Sequence, residues 1–206
     1  SRTVGSVDDA LMMLGFVTVR TLVISSGLTS GFKSMPGLDL SKFWRYSLHT
    51  AAISRWLAKT TGQNIDQSFT VGLMHAIGQL VMHAGMPEQM LHLDKMGGPL
   101  DPRRFDMETS SFGYNFATVG AELARQWRFP PAFIQAIAQF PEPLSHNPVD
   151  KIASIIHLAA WRARAEHNEL TGEEMAVTVP EGVCQVLGLP ATKFLQDLPP
   201  LAELCE

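Results

Sequence analysis

Apolar residues recur along most of this chain at the three- and four-residue spacing that is typical of α-helices. In the first helical segment, Ser6 and Asp9 fit a capping box at the start. Its apolar residues lie on more than one face, which is typical of a buried helix. The one strand-like run, Val177-Thr178-Val179, is too short to imply a sheet. The pattern therefore predicts an all-α fold.

Capping and breaking residues divide the chain into further helices. Asp39 or Ser41 fits an N-cap, Gly62 a helix end and Asn64 another N-cap. The predicted segments are one ending at Ser25, one from Asp39 or Ser41 to Thr61, Ile65 to Ala84, Glu88 to Met96, Arg104 to Gln126 with a kink near Gly113, Pro130 to Gln139, Asn147 to His167, a start at Thr171 with Glu174, Pro180 to Leu187, and Thr192 to Leu198.

The sequence shows neither an internal repeat nor a low-complexity tract nor a Gly/Ser linker. We therefore expect one helical domain over residues 1–168, with a C-terminal helical appendix over residues 169–206 packed on it.

Composition excludes several classes of protein. The net charge of −4 argues against general nucleic-acid binding, which needs a basic surface. Arginines in the run Trp161-Arg162-Ala163-Arg164 are interpreted as a solvated helix face. The sequence contains no apolar run long enough for a transmembrane helix and no signal-peptide pattern. Cys184 and Cys205 form no C-x-x-C motif, so a reducing cytoplasm is the expected setting.

Four segments carry a recognisable motif pattern. They are S-V-D-D-A-L-M-M-L-G-F at 6–16, F-W-R-Y-S-L-H-T-A-A at 43–52, F-T-V-G-L-M-H-A-I-G-Q-L at 69–80, and E-T-S-S-F-G-Y-N-F-A-T-V-G-A-E-L-A-R-Q-W-R-F-P at 108–130. In order and spacing they resemble the HDOD domain, the HD-related output domain of bacterial signalling proteins, over roughly residues 3–165. The resemblance implies an HD-domain-like helical bundle, here expected to lack the N-terminal helices of the full domain.

The resemblance also implies a site that has lost its chemistry. HD hydrolases hold divalent metal with histidine and aspartate, and an adjacent His-Asp pair belongs to that set. This chain has His75 followed by Ala76, and a methyl group cannot bind a metal. The other matching positions hold Tyr46, Phe116, Phe140 and Ala160, with Asn115 and His49 beside them. We therefore expect a vestigial pocket made of Tyr46, His49, His75, Ala76, Asn115, Phe116, Phe140 and Ala160, with no catalytic residue and no metal.

Two interpretations remain open for the polar residues of this pocket. His75 either contributes a donor to the pocket or hydrogen-bonds a neighbouring carbonyl inside the packed helix, and Tyr46 either donates to a bound anion or fills volume. His49 is expected at the rim or surface. If the pocket has become apolar packing, Phe116, Phe140 and Ala160 should lie near His75. Glu122 is expected to form an ion pair with Arg125, which lies one helical turn away.

Three functions follow as hypotheses. The first is a non-catalytic regulatory module in bacterial signal transduction, without a cofactor. Its partners would be signalling proteins, or a receiver or sensor domain of the same parent chain, and a homodimer is left open. The second is a residual metal-dependent phosphohydrolase or phosphodiesterase that uses His75 and His49. The third is a nucleotide sensor that binds without hydrolysis.

Overall fold

A computed structural model describes residues 37–204, and every regular element named for this part of the chain is a helix. The all-α prediction is therefore confirmed. The helices are α1 (Leu40–Thr61), α2 (Ile65–Met74), α3 (Ile77–Gly85), α4 (Pro87–Asp94), α5 (Arg104–Phe112), α6 (Phe116–Gln126), α7 (Pro131–Gln139), a 3-10 helix (Pro143–Ser145), α8 (Lys151–His167), α9 (Gly172–Thr178), α10 (Glu181–Val186), α11 (Ala191–Asp197) and α12 (Leu201–Leu204).

Local capping chemistry sets the borders of the first two helices as predicted. The Asp39 side chain accepts a hydrogen bond from the Lys42 amide at 3.0 Å, and Gly62 ends α1 with a φ of 69°. The Asn64 side chain accepts from the Gln67 amide at 2.9 Å at the start of α2. Each cap satisfies a backbone group that the helix itself leaves unpaired.

The prediction of one helix from Ile65 to Ala84 is wrong. The chain leaves helical geometry at Ala76, where φ is −101° and ψ is 7°, so α2 and α3 are separate helices. Gly78 on α3 packs directly against α6, and a Cβ atom at this position would overlap the carbonyl oxygen of Phe116. The break is thus tied to the close approach of α3 and α6, which local helix propensity does not show.

Two other borders also differ from the expectation. Gly113 adopts a φ of 77° and ends α5 completely, so the predicted kink is a full break before α6. Helix α8 begins at Lys151 rather than at Asn147, because the Asp150 side chain supplies the N-cap by accepting from the Ala153 amide at 2.8 Å. Of the strand-like run, Val177 and Thr178 belong to α9, and Val179 ends that helix with a φ of −59° and a ψ of 133°.

The core is built around α1, which packs against α2 and α8, while α3 packs on α6 and α6 on α7. Ile53 and Leu57 of α1 and Ile155 of α8 are completely buried. Burying a side chain of this size contributes about 1.5–3 kcal/mol. Near the C-terminal end, Phe194 of α11 is also completely buried, with its ring centroid 6.3 Å from that of Trp56 and 6.3 Å from that of Trp161.

Among the residues that the structure describes, no helix is long and apolar enough to cross a membrane. The predicted helix that follows Ser6 and the second cysteine, Cys205, lie outside the described residues. Cys184 is a buried free thiol, and burial raises its pKa to about 11.

Candidate functional site

His75 lies at the end of α2 and is completely buried. Its Nδ1 atom lies 2.6 Å from the carbonyl oxygen of Gly72, so Nδ1 carries the proton and donates. The Nε2 atom is buried and has no hydrogen-bond partner. Burial lowers the pKa of His75 to about 3, and the positive charge of Arg164 acts in the same direction. His75 is therefore a neutral imidazole, which agrees with the second of its two interpretations.

Aromatic rings surround the His75 imidazole. The ring centroid of Tyr46 lies 5.0 Å away and that of Phe140 lies 5.2 Å away, both in edge-to-face orientation. The Phe116 ring lies 5.9 Å from that of Phe140. These distances are typical of stabilising aromatic pairs. The prediction that Phe140 lies near His75 is confirmed, and Phe116 joins the same aromatic cluster through Phe140.

A cavity of about 80 Å³ lies beside this aromatic cluster. Five of the eight residues predicted for the pocket line it: Tyr46, Ala76, Phe116, Phe140 and Ala160. They come from the three helices α1, α6 and α8, from the residue that precedes α3 and from the residue that ends α7, so the structure brings together positions that are far apart in the chain. Ala160 shares this lining with Tyr46 and Phe140, whose rings pack on His75, and its proximity to His75 itself stays a prediction.

Three predicted residues are not part of this lining: His75, which is buried behind it, His49 and Asn115. His49 on α1 is partly exposed, and burial lowers its pKa while the nearby carboxylate of Glu166 opposes the shift. Asn115 is buried and caps α6, because its side-chain oxygen accepts from the amides of Ala117 and Thr118 at 3.1 Å each. The Asn115 side chain is thus already engaged by the backbone, and its contribution to a ligand site stays a prediction.

The residues present do not fit a divalent metal. Among residues 37–204, no group of three or more His, Cys, Asp and Glu side chains could hold a metal ion. One nitrogen of His75 donates to Gly72, and the other lies among aromatic rings. A divalent cation needs several nitrogen, oxygen or sulfur donors at once. The donor set beside the cavity is too small for the chemistry that the HD resemblance would otherwise imply.

Sequence reasoning missed the polar residues that line this cavity, which are Gln79, Asp101, Arg104, His157 and Arg164. Arg164 of α8 donates from Nη1 to the Tyr46 hydroxyl at 3.0 Å. Gln79 of α3 donates to the Pro99 carbonyl oxygen at 2.8 Å, and His157 donates from Nδ1 to the Phe140 carbonyl oxygen at 2.9 Å. One signal for Arg164 was present in the sequence. It lies one helical turn after Ala160, on the same face of α8.

A buried ionic network stands beside the cavity. The Arg104 side chain is 2% exposed and pairs with Glu108 at 2.7 Å and with Asp94 at 2.6 Å. Glu108 also accepts from the Phe116 amide at 2.7 Å. Burial raises the pKa of Glu108, and the bond from Arg104 opposes this shift. The network joins α4, α5 and the start of α6, and so it positions one wall of the cavity.

His83 of α3 extends the same network. Its Nδ1 atom lies 2.8 Å from the Gln79 carbonyl oxygen, and its Nε2 atom lies 3.1 Å from the Asp94 carboxylate. Both neighbours are hydrogen-bond acceptors, and each faces one nitrogen of the ring. For Asp94, burial raises the pKa, but the hydrogen bonds from His83 and Arg104 together lower it below its usual range.

The fold and the site together define an all-helical domain of HD type without the ligand set of that type. The HDOD domain family model matches residues 1–143, and the chain belongs to this family. Among solved structures, it is similar to a candidate phosphohydrolase of Shewanella amazonensis, with 30% identity and a TM-score of 0.73 over 98% of this chain and 73% of that one.

Two further relatives are longer proteins. A candidate signal transduction protein of Marinobacter aquaeolei has the same fold, with 21% identity and a TM-score of 0.68 over 98% of this chain and 45% of that one. An uncharacterised protein of Treponema pallidum is 27% identical over 146 residues, which is 69% of this chain. The chain spans 28% of the length of that curated relative.

Proposed function

We propose that this domain is a non-catalytic regulatory module of signal transduction. It acts through contacts with other proteins or through a ligand at the cavity. The observation that carries the proposal is the lining itself, where Tyr46, Ala76, Phe116, Phe140 and Ala160 stand at positions of the expected ligand set. A domain that has this fold, but aromatic and alanine side chains in place of metal ligands, functions by binding rather than by catalysis.

The geometry around His75 supports this proposal. Metal-dependent hydrolysis needs a metal that lowers the pKa of a bound water, held by several protein donors. The free lone pair of His75 is buried, and the rings of Tyr46 and Phe140 lie edge-on to the imidazole. A metal and its water ligands could reach Nε2 only if these rings moved apart. A residual hydrolase would therefore require a different arrangement of the core.

The relatives add support of a coarser kind. The Marinobacter protein is named for signal transduction, and the Treponema relative is much longer than this chain. Both agree with a module that works beside other domains, such as a receiver or sensor domain. The name of the Shewanella protein points instead to phosphohydrolase activity, so the test must discriminate between these two functions.

The test combines metal analysis with a hydrolysis assay. Purified protein is incubated with Mn²⁺ or Zn²⁺, desalted and analysed for bound metal, and then assayed with p-nitrophenyl phosphate and bis(p-nitrophenyl) phosphate. We expect no stoichiometric metal and no turnover above that of His75→Phe. Exposed His92 provides a matched control, His92→Gln. Stoichiometric metal with turnover that His75→Phe loses and His92→Gln keeps would refute the proposal.

A further inference from the structure

Arg164 carries an unmatched positive charge at the cavity. Within residues 37–204, its one polar partner is the neutral hydroxyl of Tyr46, and no carboxylate pairs with it. The other charged groups of the lining are compensated: Arg104 pairs with Asp94 and Glu108, and Asp101 pairs with Arg103 at 2.9 Å. A partly buried guanidinium without a counter-ion is costly, so this charge calls for an anion.

Hydrogen-bonding groups at the cavity also lack partners. Arg164 has five N–H donors, of which one bond goes to Tyr46. Because the Tyr46 oxygen accepts that bond, its own O–H remains free to donate. Gln79 Nε2 donates to the Pro99 carbonyl oxygen, which fixes the orientation of the amide. Its Oε1 atom is therefore an acceptor, and it is buried without a partner in a residue that is 2% exposed.

These groups fit a ligand that accepts hydrogen bonds from Arg164 and Tyr46 and donates one hydrogen bond to Gln79. We propose that the cavity binds inorganic hydrogen phosphate, with its oxygens on Arg164 and Tyr46 and its P–OH donating to Gln79. A volume of about 80 Å³ accommodates a tetrahedral oxyanion but not a nucleoside. The apolar walls strengthen charge–charge attraction inside the cavity. The inference deepens the regulatory role proposed above, since it names the ligand that the non-catalytic module senses.

Two related anions test whether the cavity recognises the P–OH group of phosphate as well as its negative charge. Sulfate has a similar shape but carries no proton near neutral pH. Methyl phosphate at pH 7.5 is mainly a dianion without a P–OH, because its second pKa is near 6. Either anion would leave Gln79 Oε1 unpaired against an oxygen atom. We therefore expect both to bind about tenfold more weakly than phosphate, because neither can donate to Gln79 Oε1.

The test measures binding of inorganic phosphate, sulfate and methyl phosphate by calorimetry and by the rise in thermal midpoint, at constant ionic strength. Arg164→Gln should lower phosphate affinity about tenfold or more. Arg162→Gln is the matched control, because Arg162 lies on the same helix but pairs with Glu166. Tyr46→Phe should weaken binding less, since it removes one neutral hydroxyl and keeps the charge.

Three outcomes would overturn the inference: no binding at millimolar phosphate, equal affinity for phosphate and sulfate, or equal losses in Arg164→Gln and Arg162→Gln. The phosphate-to-sulfate comparison uses the wild-type protein, so it decides the question even if a variant does not fold. Failure here leaves the non-catalytic role standing. Phosphate binding accompanied by metal-dependent turnover would instead overturn the proposed function, and the two failures are therefore distinguishable.

Discussion

Acidification should destabilise this fold through His75. Burial lowers the pKa of His75 from 6.5 to about 3 in the folded protein. Between these values the unfolded chain binds a proton at His75 and the folded chain does not, so the free energy of unfolding falls as the pH falls. The stability lost, relative to pH 7.5, is roughly 1 kcal/mol at pH 5.5 and roughly 3 kcal/mol at pH 4.5.

The His75→Phe variant isolates this contribution. Urea denaturation followed by tryptophan fluorescence at pH 7.5, 5.5 and 4.5 gives the free energy of unfolding of each protein. Burial also lowers the pKa of His157 and of His49, but these residues titrate in both proteins and cancel in the difference. We expect the wild-type protein to lose about 2–3 kcal/mol more than the variant between pH 7.5 and pH 4.5.

The change of the free energy of unfolding with pH, rather than its value at one pH, tests whether His75 is neutral in the folded protein. The variant also loses the hydrogen bond to Gly72, but this loss shifts its curve equally at every pH. His92→Gln removes an exposed imidazole and should give a curve parallel to that of the wild type. If the curves of the wild type and His75→Phe are also parallel down to pH 4.5, His75 is not the buried neutral group described here.

Two further pairs of variants test packing and the buried ion pair through the urea midpoint. Gly78→Ala should cost about 3 kcal/mol or more, because its Cβ would overlap the Phe116 carbonyl oxygen, whereas Gly120→Ala meets its nearest neighbours at 3.4–3.5 Å and should change stability by less than about 1 kcal/mol. Similar losses in both would contradict the close approach of α3 and α6. Glu108→Ala should cost about 3–5 kcal/mol, because it leaves a buried guanidinium with one counter-ion, and Glu122→Ala, which breaks an exposed pair, should cost less than about 1 kcal/mol. A loss below about 1 kcal/mol for Glu108→Ala would show that the buried pair adds nothing.

Helix borders could be predicted wherever a local side chain decides them. Asp39, Gly62 and Asn64 cap their helices as expected, and Thr171 with Glu174 forms the full capping box. The ion pair of Glu122 and Arg125 also forms, because its partners are one turn apart on one helix. Each of these features depends on residues within four positions along the chain.

The breaks and the polar side of the cavity depend on contacts that are distant in sequence. The chain turns at Ala76, where Gly78 meets the backbone of α6, and no pattern within residues 65–84 shows that contact. Arg164 looked like part of a solvated face, because its partner Tyr46 lies 118 positions away. The orientation of the Gln79 amide likewise depends on a distant contact. Its Nε2 atom donates to the carbonyl oxygen of Pro99 on a separate loop, which leaves Oε1 without a hydrogen-bond partner.

Helix α8 packs on α1 but lies beyond the part of the chain that the family model matches. The family match ends at residue 143, whereas α8 runs from Lys151 to His167 and supplies completely buried residues to the core and Ala160 and Arg164 to the cavity. Phe194, further along, lies against Trp56 and Trp161. The segment that the family model matches therefore omits a helix that completes the core and one wall of the cavity. Change after residue 143 can alter the cavity while the recognisable family signature remains untouched.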